Sequence, residues 1–324
     1  KELVAAVRKL GHSAYLADSV MGVYLQLRAE FAFVCQALPD DLFSPAVGKK
    51  TKVVNLWHGL PLKKIMYDVF GDRVCTKNSW GRFVDTISPY DDVRNDYLLA
   101  TSEETQNTLS KAFRIDKCRT LITGFPRNDV FLNHTSKPLA QSFRCIYMPT
   151  FRLDPESDLF EHYGFNAEEI DQQLAQHNIQ LVLRMHPVNK PPAYLVEQIA
   201  KSQSISIDNS GDIFDSIASY DCMITDYSGG YFDFILSNRP ILFAPFDLDK
   251  YKAQERDLYY DYEEVTLAPY AKNWSELIDN IINLKQHGMS ALYKGAYDEL
   301  KEKFHQPLPE NSQVFSEVLY QRLI

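Results

Sequence analysis

The sequence is poor in cysteine, and its five cysteines never form a C-x-x-C pair. Scattered cysteines in an odd number argue against a disulfide framework and against a zinc site built on thiolates. Free thiols are typical of a reducing compartment such as the cytosol, which we therefore expect. The five are Cys35, Cys75, Cys118, Cys145 and Cys222.

Long apolar runs and an excess of basic residues are also missing. No apolar run reaches the roughly 18 residues that span a bilayer, and no signal-peptide pattern opens the chain. The 34 basic and 43 acidic residues give a formal net charge of -9, which argues against a nucleic-acid partner but leaves room for a local basic patch. Because Lys1 leads directly into a helical pattern, we expect a fragment of a longer protein.

Short apolar runs alternate with amphipathic helical stretches along all 324 residues. This pattern predicts an α/β fold with parallel sheets, and the length suits two domains. The polar stretch Asn133–Ser142 predicts a linker. We therefore predict an N-terminal domain over residues 1–137 and a C-terminal domain over residues 138–324, with a helical tail from Trp274.

The individual elements follow from the same alternation. The predicted strands are Ala14–Ala17, Phe31–Cys35, Val53–Trp57, Tyr97–Ala100, Thr120–Thr123, Cys145–Met148, Ile179–Met185, Ser204–Ile207, Cys222–Thr225 and Ile241–Ala244. The predicted helices are Glu2–Leu10, Val20–Arg28, Glu103–Phe113, Ala167–His177, Pro192–Lys201, Ile213–Ser219 and Gly230–Leu236.

Two such halves suggest two facing Rossmann-like domains, with the active site in the cleft between them. Unusual clusters follow the predicted strands directly, where this architecture binds its ligands. These clusters begin at His58, Gly124, Pro149, His186 and Asp226.

His58 is followed by Gly59, which permits a sharp turn, and by Lys63 one turn later. A histidine can accept a proton from an attacking hydroxyl near neutral pH, so His58 is a candidate general base. A structural histidine beside a core tryptophan is an equally good interpretation of this segment alone.

The second histidine, His186, lies two residues after Arg184, so both side chains share one face of a strand. An arginine and a histidine side by side suit a pyrophosphate, although an ion pair with an acidic helix explains them too. Arg127 and Arg152 could each bind phosphate oxygens through two N–H groups, but for either alone a structural or solvated role is favoured.

The segment Asp226–Tyr227–Ser228–Gly229–Gly230 opens a predicted helix, with Ser228 as its N-cap. Amides at a helix N-terminus bind phosphate, so this segment is a second candidate phosphate site; a plain helix cap is the alternative. No G-x-G-x-x-G, P-loop, H-E-x-x-H or G-x-S-x-G motif occurs. Asp247 and Asp249 form a D-x-D that keeps a divalent metal open, although no cofactor is required.

Seven motifs in this order resemble the CDP-glycerol:poly(glycerophosphate) glycerophosphotransferase family over roughly Val53 to Glu264. The motifs are Trp57–His58–Gly59–x–Pro61–Leu62–Lys63–Lys64, Gly124–Phe125–Pro126–Arg127–Asn128–Asp129, Pro149–Thr150–Phe151–Arg152, Met185–His186–Pro187, Thr225–Asp226–Tyr227–Ser228, Arg239–Pro240–Ile241–Leu242–Phe243 and Phe246–Asp247–Leu248–Asp249–Lys250–Tyr251. Leu60, Phe151 and Gly229 depart from the usual Thr, Trp and Ser.

The resemblance implies a GT-B fold and transfer of a polyol phosphate, glycerol or ribitol phosphate, from a CDP-linked donor with release of CMP. The acceptor would be a hydroxyl of a teichoic-acid-like or capsule polymer, carried on a lipid or an oligosaccharide. It further implies a peripheral position at the inner face of the cell membrane and further domains of a larger capsule polymerase. By motif, His58 matches the proposed general base, His186 a donor-phosphate ligand and Ser228 the phosphate-binding helix start.

Two other functions remain open from the sequence. A GT-B glycosyltransferase that uses a nucleotide sugar would share the same cleft and phosphate ligands. A non-catalytic module that binds an anionic polymer is the second, and the presence of both His58 and His186 argues against it.

Overall fold

The computed structural model describes residues 2–71, 94–132, 142–152, 157–186, 191–254 and 257–323. The chain divides into two compact units, Lys1–Leu132 with Glu302–Ile324, and Asn133–Lys301. The sequence had assigned residues 302–324 to the second domain; the structure places them in the first unit because the final helix packs on first-unit loops. Among the described residues, no helix is both long enough and apolar enough to cross a membrane.

The first unit is built on a four-stranded parallel sheet in the order β1-β2-β3-β4. Burial on both faces explains why β3 is a continuous apolar run rather than an alternating one. The strands are β1 (Phe31–Val34), β2 (Lys52–Asn55), β3 (Tyr97–Ala100) and β4 (Thr120–Ile122). The helices are α1 (Glu2–Lys9), α2 (Val20–Leu25), α3 (Leu38–Asp41), α4 (Tyr67–Phe70), α5 (Glu103–Phe113) and α6 (Asp129–Leu132).

The second unit holds a five-stranded parallel sheet in the order β7-β6-β5-β8-β9. The chain runs outward from β5 in one direction and then returns to its other side, so a topological switch point lies between β5 and β8. The strands are β5 (Phe143–Met148), β6 (Ile179–Leu183), β7 (Ile205–Ile207), β8 (Cys222–Thr225) and β9 (Ile241–Phe243). The helices are α7 (Ala167–Gln176), α8 (Ala193–Ile199), α9 (Gly230–Phe234), α10 (Leu248–Gln254), α11 (Trp274–His287) and α12 (Ala291–Phe304).

The core of the second unit centres on Trp274, which is fully buried at the start of α11. Its indole N–H donates to the Leu159 carbonyl at 2.8 Å, and its ring packs edge-on against Tyr147 of β5. A buried tryptophan with a satisfied N–H contributes a large apolar contact without an unpaired donor. Trp274 therefore fixes α11 against the central strand.

The sequence-based prediction of α/β layering with parallel sheets is confirmed. The strands Tyr97–Ala100 and Cys222–Thr225 and the helix Glu103–Phe113 match residue for residue. The predicted strand Ala14–Ala17 is wrong: the Leu16 carbonyl accepts from the Ser19 backbone N–H and hydroxyl, which turns the chain into α2 instead of a sheet.

The tail from Trp274 is helical in α11, α12 and α13 (Phe315–Leu323), with a non-helical stretch over 305–314. The start of α13 is held by Asp129, whose carboxylate accepts from the Phe315 N–H at 2.7 Å and the Ser316 N–H at 3.3 Å. A carboxylate at a helix start satisfies amides that have no partner within the helix. The last helix is thereby fixed to the Gly124–Asp129 loop.

We predict that Gly124→Ala destabilises the first unit by about 3 kcal/mol, since it adds a left-handed penalty and an overpacking cost. Gly124 has φ +71°, and a Cβ there would lie 2.2 Å from Cδ1 of Phe315. Gly11→Ala is the matched control, because Gly11 has φ +87° with nothing within 4 Å. Urea unfolding should show about 1–2 kcal/mol for the control; equal losses would contradict the close packing of Phe315 on Gly124.

Candidate active site

The first candidate site lies at the carboxyl end of β2, on the turn that presents His58. The side-chain oxygen of Asn55 accepts from the Trp57 N–H at 2.9 Å, and Trp57 adopts a left-handed conformation with φ 55°. A left-handed non-glycine residue is strained and needs such support. Gly59 follows with φ 150°, so the chain reverses around His58. The turn leaves the His58 side chain exposed.

The imidazole of His58 is held on one edge by the chain that follows β1. Its Nδ1 lies 3.3 Å from the Cys35 carbonyl oxygen, and its ring centroid is 3.9 Å from that of Trp57. A carbonyl can only accept, so Nδ1 must carry the proton in this contact and Nε2 is left as the acceptor of the neutral ring. This is the tautomer that a general base requires.

The surroundings of His58 lower its pKa and so favour the neutral imidazole. Loss of solvent around the ring lowers its pKa below the ordinary value, the Cys35 carbonyl partly opposes this, and the charge of Arg127 lowers the pKa further. The Cys35 carbonyl is itself oriented by Asp41, whose carboxylate accepts from the Cys35 and Gln36 N–H groups at 2.7 and 2.8 Å. Asp41 is a supporting residue that the sequence analysis missed, since no motif contains it.

Arg127 connects the Gly124–Asp129 loop to the His58 turn. Its Nη1 donates to the Trp57 carbonyl at 3.2 Å, and its guanidinium lies 4.6 Å from the ring centroid of Phe125. The structure therefore brings Arg127 and His58 together, as the sequence analysis expected for strand-end clusters. Lys63 is partly buried on the same β2 extension, and its contact with a donor stays a prediction.

We predict that Arg127→Gln raises the pKa of His58, because the guanidinium charge lowers that pKa in the native protein. A general base acts when deprotonated, so the acid limb of the kcat/KM profile should move to higher pH. Proton NMR titration of the His58 ring, assigned with His58→Gln, measures the same shift directly. Lys111→Gln, an exposed cation of α5, should leave both values unchanged; a downward shift in Arg127→Gln would contradict the assignment.

In the second unit, the strand-end loops at the switch point meet around a buried arginine. Arg152 follows β5 and donates from Nε and Nη2 to both oxygens of Asp247 at 2.7 and 2.8 Å. Nη2 also donates to Asp226 at 2.8 Å, and Nη1 donates to the Thr150 carbonyl at 2.6 Å. Asp226 follows β8 and Asp247 follows β9, so one guanidinium joins three strand ends.

Tyrosines close this Arg152–Asp226–Asp247 cluster. The Tyr227 hydroxyl donates to Asp247 at 3.0 Å, and burial followed by the nearby Asp247 and Asp226 charges raises the Tyr227 pKa, which keeps the phenol protonated. Tyr227 stacks on Tyr251 with ring centroids 3.7 Å apart. The Tyr262 hydroxyl donates to the Asp226 carbonyl at 2.9 Å. The cluster is therefore a hydrogen-bonded structural core.

This geometry gives Arg152, Asp226 and Tyr227 a clear structural role. The sequence analysis had expected Arg152 to bind donor phosphate, but the structure directs its N–H groups at Asp226, Asp247 and Thr150. A direct phosphate contact of Arg152 therefore stays a prediction. Asp247, considered as half of a metal-binding D-x-D, uses both carboxylate oxygens to accept from Arg152.

His186 and Arg184 lie beside the cluster, after β6. His186 is exposed, and its ring lies 5.1 Å from that of Phe151 on the β5 loop. Arg184 donates to the Ser210 carbonyl at 2.9 Å and the Gly211 carbonyl at 2.7 Å, so it also orders the segment after β7. The structure thus brings the β5 and β6 motifs to one edge of the sheet.

The turn into α9 carries Ser228, Gly229 and Gly230. The N-cap position is Gly229 rather than the predicted Ser228, but the Ser228 hydroxyl oxygen still accepts from the Gly230 N–H at 3.2 Å. Ser228 and Gly229 are both partly exposed, whereas Asp226 directly before them is fully buried. The buried cluster therefore presents a small, accessible turn at the switch point.

We predict that Arg152→Ala lowers the free energy of unfolding by about 3–5 kcal/mol, because two carboxylates are left buried without their cation. Arg144→Ala is the matched control: Arg144 bonds Ser219 and lies over Tyr220, and its loss should cost about 1 kcal/mol. Urea unfolding measures both. A stability loss no larger than the control's, together with lost donor affinity, would instead make Arg152 a phosphate ligand.

Comparison with known proteins gives consistent matches. Residues 3–312 match the family model described as CDP-Glycerol:Poly(glycerophosphate) glycerophosphotransferase. A teichoic acid glycerol-phosphate transferase of Staphylococcus aureus is 30% identical over 298 residues, 86% of this chain and 72% of that protein. A teichoic acid ribitol-phosphate primase of Bacillus spizizenii is 25% identical, over 84% of this chain and 71% of its own length.

Some relatives are much longer than this chain. A teichoic acid poly(glycerol phosphate) polymerase of Bacillus subtilis is 28% identical over 81% of this chain, which is 36% of that protein. The solved structure of the wall teichoic acid polymerase TagF is similar with a TM-score of 0.64 and 26% identity, and the match covers 85% of this chain and 68% of that one.

Proposed function

The chain belongs to the CDP-glycerol:poly(glycerophosphate) glycerophosphotransferase family, and we infer that it catalyses a reaction of this family's type. It is a transferase that moves a polyol phosphate from a CDP-linked donor to a hydroxyl of a growing teichoic-acid-like polymer and releases CMP. Relatives named for glycerol phosphate and for ribitol phosphate support the class. The choice of polyol, the acceptor and the residue roles below are proposed.

The observation that carries the mechanism is the neutral, exposed imidazole of His58 at the carboxyl end of β2. We propose that Nε2 takes the proton of the acceptor hydroxyl as its oxygen attacks the polyol-side phosphorus. A new oxygen–phosphorus bond forms, the bond from that phosphorus to the bridging oxygen breaks, and CMP leaves with the bonding electrons. General-base assistance of this kind contributes about 10²–10⁴-fold.

The donor is proposed to bind at the switch point of the second unit, where ligands of this architecture are bound. His186 and the accessible turn of Ser228 and Gly229 would contact the pyrophosphate, with Arg184 nearby. Arg152, Asp226 and Tyr227 would act by holding the loops in place. Arg127 and Lys63 add positive charge on the first unit, where charge develops during transfer.

Finer features belong to the same proposal. A parallel sheet in each unit supports a GT-B arrangement of facing Rossmann-like domains. A lipid-linked or oligosaccharide acceptor implies a peripheral position at the inner face of the cell membrane. Exposed apolar residues around α2, with Val20 91% exposed and Leu27 63%, support such a contact. Absence of binding to anionic vesicles would contradict it.

We predict that His58→Asn lowers CMP release from CDP-glycerol or CDP-ribitol by about 10²–10⁴-fold, because the acceptor hydroxyl loses its base. The assay pairs each donor with a purified acceptor and quantifies CMP. His162→Asn removes another exposed histidine and should retain full activity. UDP-sugars in the same screen should release no nucleotide.

Near-normal turnover in a folded His58→Asn protein would remove His58 from the chemistry while leaving the family reaction in place. Nucleotide release from a UDP-sugar, without CMP from either CDP-polyol, would contradict the proposed reaction itself. Mass analysis of the product separates the two outcomes, since a phosphodiester retains phosphorus and a glycoside does not.

A further inference from the structure

A pocket separate from the candidate active site lies in the first unit along the outer edge of β4, and neither His58 nor Arg127 lines it. Its volume is about 500 Å³. β4 is the last strand of the sheet, and the C-terminal segment with α13 forms the opposite wall. The charged, amide and hydroxyl side chains among its described lining residues are Gln106, Lys117, Thr120, Thr123, Gln306, Gln321 and Arg322.

The charge of this β4 pocket is opposite to that of the whole chain. Its described lining residues include the cations Lys117 and Arg322 but no carboxylate, whereas the chain carries a net charge of -9. Neither of the two side chains makes an ion pair or hydrogen bond within the described residues. The pocket therefore favours an anionic ligand.

The remaining lining groups are neutral hydrogen-bonding groups. The amide of Gln106 donates to the Lys117 and Thr120 carbonyls, which fixes the floor of the pocket. The Gln321 side-chain oxygen accepts from Asn311 and Ser312. Isolated cations among neutral amides and hydroxyls match a ligand that alternates phosphates with hydroxyl-bearing carbons, such as a polyol-phosphate chain.

The β4 pocket is also connected to the catalytic turn by a short stretch of chain. Thr123 lines the pocket, and four residues later Arg127 donates to the Trp57 carbonyl next to His58. The intervening loop is held in place by the contacts of Asp129 with the start of α13, the helix that also carries Arg322. A polymer whose end reacts at His58 could therefore continue along β4 on the same unit.

We propose that the β4 pocket binds the already synthesised, polyanionic part of the acceptor polymer at a distance from its reacting end. This inference rests on the proposed function and adds a second binding site to it. Occupancy of the pocket slows dissociation of the growing chain, so several units are added before release. The pocket takes no part in the chemical step, and a very short acceptor does not need it.

The test compares two double variants of equal net charge in the otherwise intact protein. Lys117→Glu with Arg322→Glu reverses the pocket charges, and Lys111→Glu with Arg28→Glu reverses two exposed cations that do not line it. The probe is a fluorescently labelled poly(glycerol phosphate) oligomer, followed by anisotropy at low and moderate salt. We expect the pocket variant to bind about tenfold more weakly and the control within about twofold of wild type.

The second readout is turnover. With a one-unit acceptor, both double variants should release CMP at the wild-type rate, whereas with a long acceptor the pocket variant should give shorter products. Equal polymer binding by the two double variants would overturn the inference. Inorganic phosphate that displaces the labelled oligomer as effectively as unlabelled oligomer does, at equal phosphate concentration, would overturn it too. Absence of CMP release from wild type would instead contradict the proposed function and leave the anisotropy comparison valid.

Discussion

The second unit depends on one buried charge interaction, in which the Arg152 guanidinium binds Asp226 and Asp247 at the ends of three strands. Removing two carboxylates from water is costly, and good geometry is needed to offset that cost. The bidentate contact with Asp247, the third bond to Asp226 and the stacked tyrosines supply it. Because these loops cannot separate without exposing unpaired charge, the cluster holds the segment that leads into the Ser228 turn against the loop after β5.

The first unit positions its histidine by different means. Hydrogen bonds to backbone atoms, from Arg127 to Trp57 and from the His58 ring to Cys35, take the place of a buried ion pair. This arrangement suits a general base, because the loss of solvent and the Arg127 charge lower the pKa of His58 by more than the Cys35 carbonyl and the Asp41 charge raise it. Trp57 adopts a strained left-handed conformation, and the hydrogen bond from its N–H to the Asn55 side chain stabilises that conformation without a charged group.

Much of this arrangement could be predicted from the sequence because its signals are local. The β3, β8 and α5 boundaries follow from short apolar runs and a capped helix, and His58, His186 and Ser228 each follow a strand directly. The role of Asp247 could not be predicted because its partner Arg152 is 95 residues away in the sequence, and Asp41 was missed because no motif contains it. The return of residues 302–324 to the first unit was missed for the same reason, since it depends on the contact of Asp129 with α13.

The charge balance at the switch point constrains how a donor can bind. Arg152 contributes one positive charge to the cluster, and Asp226 and Asp247 contribute two negative charges, so the cluster itself carries an excess of one negative charge. A pyrophosphate placed directly on the cluster would be repelled, because electrostatic interactions are stronger between buried charges than between charges in water. In the proposed function, neutralisation therefore comes from groups of the second unit outside the cluster: His186, Arg184 and the amides near Ser228. The proposed donor site would therefore separate two tasks: the buried cluster holds the loops in place, and the groups around it supply the positive charge that the phosphates need.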